Sequence, residues 1–482
     1  MFHQIAGATG RCLFRCALGF RFFLLLFPSL AASQTLTCTV EWNPAIQVSS
    51  DSVLSNKPQV AVSGDTVHLV WYGFDTLGTA GRDGIQYARS SDGGASFSAQ
   101  QTLLPLESAL SPAVVASAGN FVYVAALAII DTFYGTMVRR SSDGGITWQP
   151  PRALLRETRP EVIVAGDSSV YIHFRNLRGR GAGLLASTNA GLSWDTTTST
   201  MPRLTSLVVR GNRMHGIGTV STDFGTEVGY FSSDTPGRYW FGPEILSKED
   251  TIPSLRPRIA ANERGDLFVV WGERGRLLFR RSKNGGFSWR PEQLLSPDTS
   301  AVFSDIAAGD DFVSVVWDND FGATGGISFR NSNDAGAAFC PLDSPTAGTN
   351  VGEPAVAIRG SRVHVTWSES IAGNVEILYR GGMLTENPNS LDKPPKTFAL
   401  HQNYPNPFNG ATHIRYDIPE PMHVHLVVYN LLGEIIATLV DEVQSPARYD
   451  FLFDSGNHPS GVYFFRLRTK SFVEVRKLLI VR

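Results

Sequence analysis

The chain has 482 residues, of which 43% are hydrophobic and 18% charged, with a formal net charge of −2. The length exceeds one ordinary domain, and the near-neutral balance gives no electrostatic case for nucleic-acid binding. Apolar residues at helical spacing are scarce, so an all-β chain is expected.

The first predicted element is an export signal. Arg11, Arg15 and Arg21 precede the run from Phe22 to Phe27, and the small residues Ala31, Ala32 and Ser33 follow. A basic region, a short apolar run and small residues together read as a secretory leader over 1–33. The run is too short for a stable membrane span, and no later segment is long and apolar enough for one. Cys12 and Cys16 lie in this leader, which leaves Cys38 and Cys340 in the exported part. These two either form one disulfide or remain free thiols, because spacing alone does not bring their backbones together.

Residues 34–380 are repetitive. Six boxes follow the pattern Ser-x-Asp/Asn-x-Gly-x-x-Phe/Trp, with the acidic or amide position at Asp92, Asp143, Asn189, Asp234, Asn284 and Asp334. The box at Asp234 is read from Ser232 to Trp240 with one extra residue. A near-constant step of about fifty residues marks a propeller or another array. Asp or Asn can accept backbone N–H bonds and hold a turn, Gly supplies a positive φ, and the aromatic residue is an apolar plug. No box supplies several carboxylates together, so the boxes are structural and no metal is expected.

Before each box come an apolar segment often opened by Pro, a Gly turn and a second apolar strand, as in Pro58–Val62, Gly64 and Val67–Trp71. A third strand leads into the box and a fourth follows it. The first three strands recur seven times and the box six times. Glu41–Val48 resembles the segments that follow boxes, so it supplies the missing strand. The expected fold is a seven-bladed β-propeller closed by its N-terminal strand, which protects the sheet edges. Six blades with capping elements is the alternative.

This repeat also predicts faces. The boxes share one face, and the loops opening each first strand share the other. On the second face, Lys57, Arg159, Glu161, Arg256, Arg258, Asp305 and Glu353 gather near the channel mouth. The loops between second and third strands add residues such as Asp83, Asp131, Tyr134, Arg175, Glu273, Asp318, Asp320 and Glu369. Arg159, Glu161, Arg256, Arg258 and Glu353 are the expected contacts to a glycan or protein ligand. His68, His215 and His364 occupy matching second-strand positions and read as strand residues. No Ser-His-Asp order, metal spacing or phosphate loop stands out, so no cofactor is expected.

Residues 381–397, with Gly381-Gly382, Asn387-Pro388 and Pro394-Pro395, read as a linker. A compact β-rich unit over 398–482 follows, expected as a small β-sandwich. Its Asn403-Tyr404-Pro405-Asn406-Pro407-Phe408-Asn409 opening, Tyr429–Glu434 turn, Ser460–Phe464 strand and basic-apolar tail resemble the C-terminal sorting domain of the type IX secretion system. That resemblance implies recognition by the outer-membrane secretion machinery, export, and release or anchoring at the cell surface.

The boxes resemble the Asp-box, or bacterial neuraminidase, repeats. These occur in sialidases and in many propellers that are not sialidases. Sialidase chemistry requires three arginines on a substrate carboxylate, a Tyr nucleophile with a carboxylate base, and an acid. The family's Arg-Ile-Pro segment should precede the first box, where this chain has Lys57-Pro58-Gln59. Arg159-Pro160 and Arg256-Pro257 stand in other repeats, so the resemblance assigns no catalytic residue. A sialidase-like glycoside hydrolase is the alternative to a binding module.

Overall fold

The computed structural model describes residues 39–481 apart from 50–53, 75–83, 106–108, 167, 180, 198–200, 235–236, 297–300, 320–325, 347–349, 386–397, 404 and 457. The expected leader, Cys38, Asp83 and Asp320 therefore lie outside the described residues. Among the described residues there is no helix, and none long and apolar enough to cross a membrane; the chain is all-β.

Among the described residues, 40–384 form seven antiparallel sheets, five of them with four strands in sequence order. The first strands of successive sheets touch one another, and Val351–Arg359 in the last touches Leu54–Ser63 in the first. Such sheets, in a row that returns on itself, fit the blades of a propeller. Four tryptophans at matching second-strand positions, Trp71, Trp271, Trp317 and Trp367, are fully buried. Each packs among residues of its own sheet and the preceding one; Trp71, for example, lies against Ile377 and Tyr379. Burying an indole of 150–250 Å² contributes on the order of 4–6 kcal/mol of transfer free energy.

The last sheet takes its outer strands from the start of the chain. Val40–Trp42 pairs antiparallel with Asn374–Leu384, setting Val40 opposite Leu384, and Ile46–Gln47 pairs with the same strand. Trp42 packs edge-on to Phe329 at 5.0 Å, and its Nε1–H donates to Asp343 Oδ2 at 2.7 Å in the neighbouring sheet. This corrects the expected start of the linker, because Gly381, Gly382, Met383 and Leu384 continue the strand. The glycines are there for space rather than for a break. A Cβ on Gly382 would lie 2.7 Å from Val40 Cγ1 and 2.8 Å from Trp42 Cε3. Cys340 is buried and disulfide-bonded, although Cys38 lies outside the described residues.

Five of the boxes show a closed set of hydrogen bonds among the described residues. In the first, Ser90 Oγ donates to Asp92 Oδ1 at 2.6 Å and accepts from Gly94 N–H at 2.8 Å. Asp92 in turn accepts from Ser96 N–H at 3.0 Å. Asp143, Asn189, Asn284 and Asp334 repeat this arrangement with Ser141, Ser187, Ser282 and Ser332. The Thr147 hydroxyl and N–H, with Ser141, hold the Asp143 carboxyl down at about 2. Asp234 departs from the pattern and meets Arg213 Nε at 3.0 Å. The strand register explains why. Box Ser90 lies opposite Val67, and the equivalent pair is Met214 with Ser233, not Ser232. The fourth box therefore runs from Ser233 to Trp240 without an extra residue, which moves the acidic position to Thr235, outside the described residues.

The C-terminal unit consists of two sheets. One contains Ala399–Leu400, Ala411–Ile418 and Ala447–Asp454; the other contains Met422–Tyr429, Ile435–Gln444, Gly461–Arg468 and Val473–Ile480. Alternating residues from both, among them Ile414, Tyr416, Leu426, Val428, Phe465 and Leu478, form one core. Inward apolar and outward polar alternation is what a sheet with one buried face requires.

Candidate functional site

The site is built by proline. Lys57, Arg256 and Glu353 each precede a proline in the first strand of their sheet and each has φ of 53°. Proline has no N–H for the ladder, and the pairing slips there between Asn56 and Gln59, Leu255 and Arg258, and Gly352 and Ala355. Bulges of this kind re-aim side chains. A positive φ on a residue with a side chain is strained and is held only by well-determined surroundings. In the third sheet the slip falls between Pro160 and Val162, so Glu161 is the displaced residue.

These bulges line one cavity of about 320 Å³. Arg159, Glu161, Arg256, Arg258 and Glu353, the expected ligand contacts, all lie in its wall with Lys57, Asp305 and Phe303. The Arg256 guanidinium stacks over the Phe303 ring at 4.1 Å. Glu161 Oε1 lies 3.6 Å from Arg159 Nε and 3.1 Å from Arg175 Nε. Glu353 Oε2 accepts from the Lys57 N–H at 2.9 Å. Burial raises the Glu353 pKa, against the pull of Lys57. Burial also raises that of Asp305, partly offset by Arg258 and by the Val356 N–H at 3.0 Å. Protonation of either carboxyl would leave the arginines the larger share of the charge.

Other rim residues named from sequence serve the scaffold. Asp318 Oδ1 accepts from Phe303 N–H at 2.6 Å, Glu369 accepts from Trp367 Nε1–H at 2.8 Å, and Glu273 accepts from Ser254 at 3.2 Å. Among the described residues, no tyrosine lines the cavity. Among the described residues no group of three or more His, Cys, Asp or Glu could hold a metal ion. Phe303 and the proline walls were missed from sequence, although the Pro after each charged residue was a usable signal.

The histidines expected as plain strand residues have side-chain partners. His68, His215 and His364 bond through Nδ1 to the hydroxyls of Tyr87, Tyr230 and Tyr379 at 2.9, 2.7 and 2.7 Å. These pairs are buried, and none of their residues is in the cavity wall. Burial lowers all three histidine pKa values to about 4 and raises the tyrosines, Tyr230 to about 12.

Residues 32–315 match the BNR repeat-like domain family, and residues 402–481 match the secretion system C-terminal sorting domain. No curated protein matches the chain. Solved structures similar to it include the Hadza microbial sialidase Hz136, at 12% identity over 69% of this chain and 66% of that one, with a TM-score of 0.39. The phage phi92 endosialidase matches at 10% identity over 91% and 79%, with a TM-score of 0.43. A polysaccharide lyase family 25 ulvan lyase, bound to -[GlcA(1-4)Rha3S]-, matches at 10% identity over 69% and 95%, with a TM-score of 0.47. None of these likenesses bears on substrate.

Proposed function

Because the chain belongs to the BNR repeat-like domain family and carries a secretion-system sorting domain, we propose that it is a propeller exported by the type IX secretion system that binds an acidic glycan at its channel mouth. On this reading the propeller has seven blades, the C-terminal unit is a β-sandwich read by the secretion machinery, and residues 1–33 are removed on export. The carrying observation is the convergence of Lys57, Arg159, Arg256 and Arg258 on one cavity. Guanidinium groups pair with carboxylate or sulfate in two-point geometry. Sialidase-like hydrolysis is the alternative.

Binding is tested with the purified full chain on an array of acidic and neutral glycans, followed by titration calorimetry. Acidic glycans are expected to bind and neutral ones not to. Arg258→Ala should weaken binding about tenfold or more, since a hydrogen bond to a charged group contributes roughly 1.5–3 kcal/mol. Equal binding by the variant would remove the mouth from the reading. Turnover of a fluorogenic sialoside, abolished in Arg256→Ala, would establish the hydrolase instead.

A further inference from the structure

A second cavity, of about 560 Å³, is lined by Arg175, Asn176, Leu177, Gly179 and Arg203. This lining holds two arginines and an amide but no carboxylate. It adjoins the mouth cavity through one ion-paired wall. Arg159, in the mouth, and Arg175, in the second cavity, are direct partners on antiparallel strands. Glu161 Oε1 lies within ion-pair range of both.

That arrangement carries a cost. Like charges directly opposite one another on neighbouring strands destabilise a sheet, and one carboxylate cannot neutralise two guanidinium groups. Cross-strand neighbours stand about 5 Å apart, so an anion held on one side of Glu161 lies close to an anion held on the other. The rim of the second cavity is already ordered. Asn176 N–H donates to Gly181 O at 2.9 Å, Leu177 N–H donates to Glu157 O at 2.8 Å, and Arg178 pairs with Glu157 at 2.7 Å. A preformed rim spares the ligand the cost of ordering it.

We propose that the two cavities are successive subsites for one acidic polysaccharide, so that the ligand is an internal stretch of charged chain rather than a single acidic sugar. Arg175 and Arg203 hold the anionic group next to the one held by Arg159, Arg256 and Arg258. This inference rests on the mouth being a glycan site.

The test is affinity against chain length, measured by calorimetry on the full chain. The probes are oligogalacturonates, oligosialic acids and sulfated heparin oligosaccharides of one to six units. In at least one series, affinity is expected to rise at least tenfold between one and three units. Arg203→Gln should abolish that gain, and Arg203→Lys should retain part of it. Arg203 is exposed, so its replacement leaves the fold intact. Affinity independent of length, or a gain that survives in Arg203→Gln, would overturn the two-subsite proposal while leaving the mouth site standing. Silence from every series with the wild-type chain would instead remove the glycan reading itself.

Discussion

Gly145→Ala is expected to destabilise the propeller by about 2–5 kcal/mol and to lower its melting temperature accordingly. Gly145 has φ of 80°, where a side chain costs about 1–2 kcal/mol. The added Cβ would also stand 1.8 Å from the Tyr87 hydroxyl and 2.8 Å from its Cζ. Tyr87 is buried in the preceding sheet and fixed by His68, so the ring has nowhere to go. Overpacking of this kind adds about 1–3 kcal/mol, a large part of a typical net stability of about 5–15 kcal/mol. Gly144 is the control, with φ of 69° but nothing within 4 Å of an added Cβ. Gly144→Ala should show only the backbone cost. If urea denaturation gave the two variants equal losses, the box glycine would be a turn residue alone and not a seat for the neighbouring tyrosine.

Acid should unfold the propeller through its buried histidines. His68, His173, His215 and His364 have pKa values lowered to about 4, chiefly by burial, against 6.5 when exposed. Between pH 4 and 6.5 the unfolded chain therefore binds more protons than the folded one. The stability these residues contribute is complete above pH 6.5 and is lost as pH falls through that window. A shift of this size corresponds to at most about 3.4 kcal/mol for each histidine, so several together are large against a net stability of about 5–15 kcal/mol. The urea midpoint should be flat from pH 8 to 7 and fall steeply from pH 6.5 to 4.5. His364→Gln should reduce that slope by one proton's worth. A midpoint indifferent to pH across the window would mean that these imidazoles charge freely in the fold.

Much of the architecture was legible because it repeats. The step between boxes, the proline opening most first strands and the loose strand at Glu41–Val48 are local signals, and they led to the sheets and the closing pair. What escaped depends on contacts far apart in sequence. Ser232 and Ser233 are indistinguishable in a pattern search, and only the pairing of Met214 with Ser233 selects between them. Gly381 and Gly382 have the composition of a linker, because Val40 and Trp42, which leave no room for a side chain at Gly382, lie some 340 positions away at the start of the chain. Arg175 was visible as a rim residue. Arg203 was not, since it lies outside any strand, on the connection between Asp195–Thr197 and Ser206–Arg210.

The seam in the last sheet also orders events in time. Thr39 and Thr385 meet through their hydroxyls at 2.8 Å although they are 346 positions apart. Closing a loop of that length costs roughly 5 kcal/mol of chain entropy, and contacts so distant form late. The strand made first must wait, unpaired, until the final sheet has arrived.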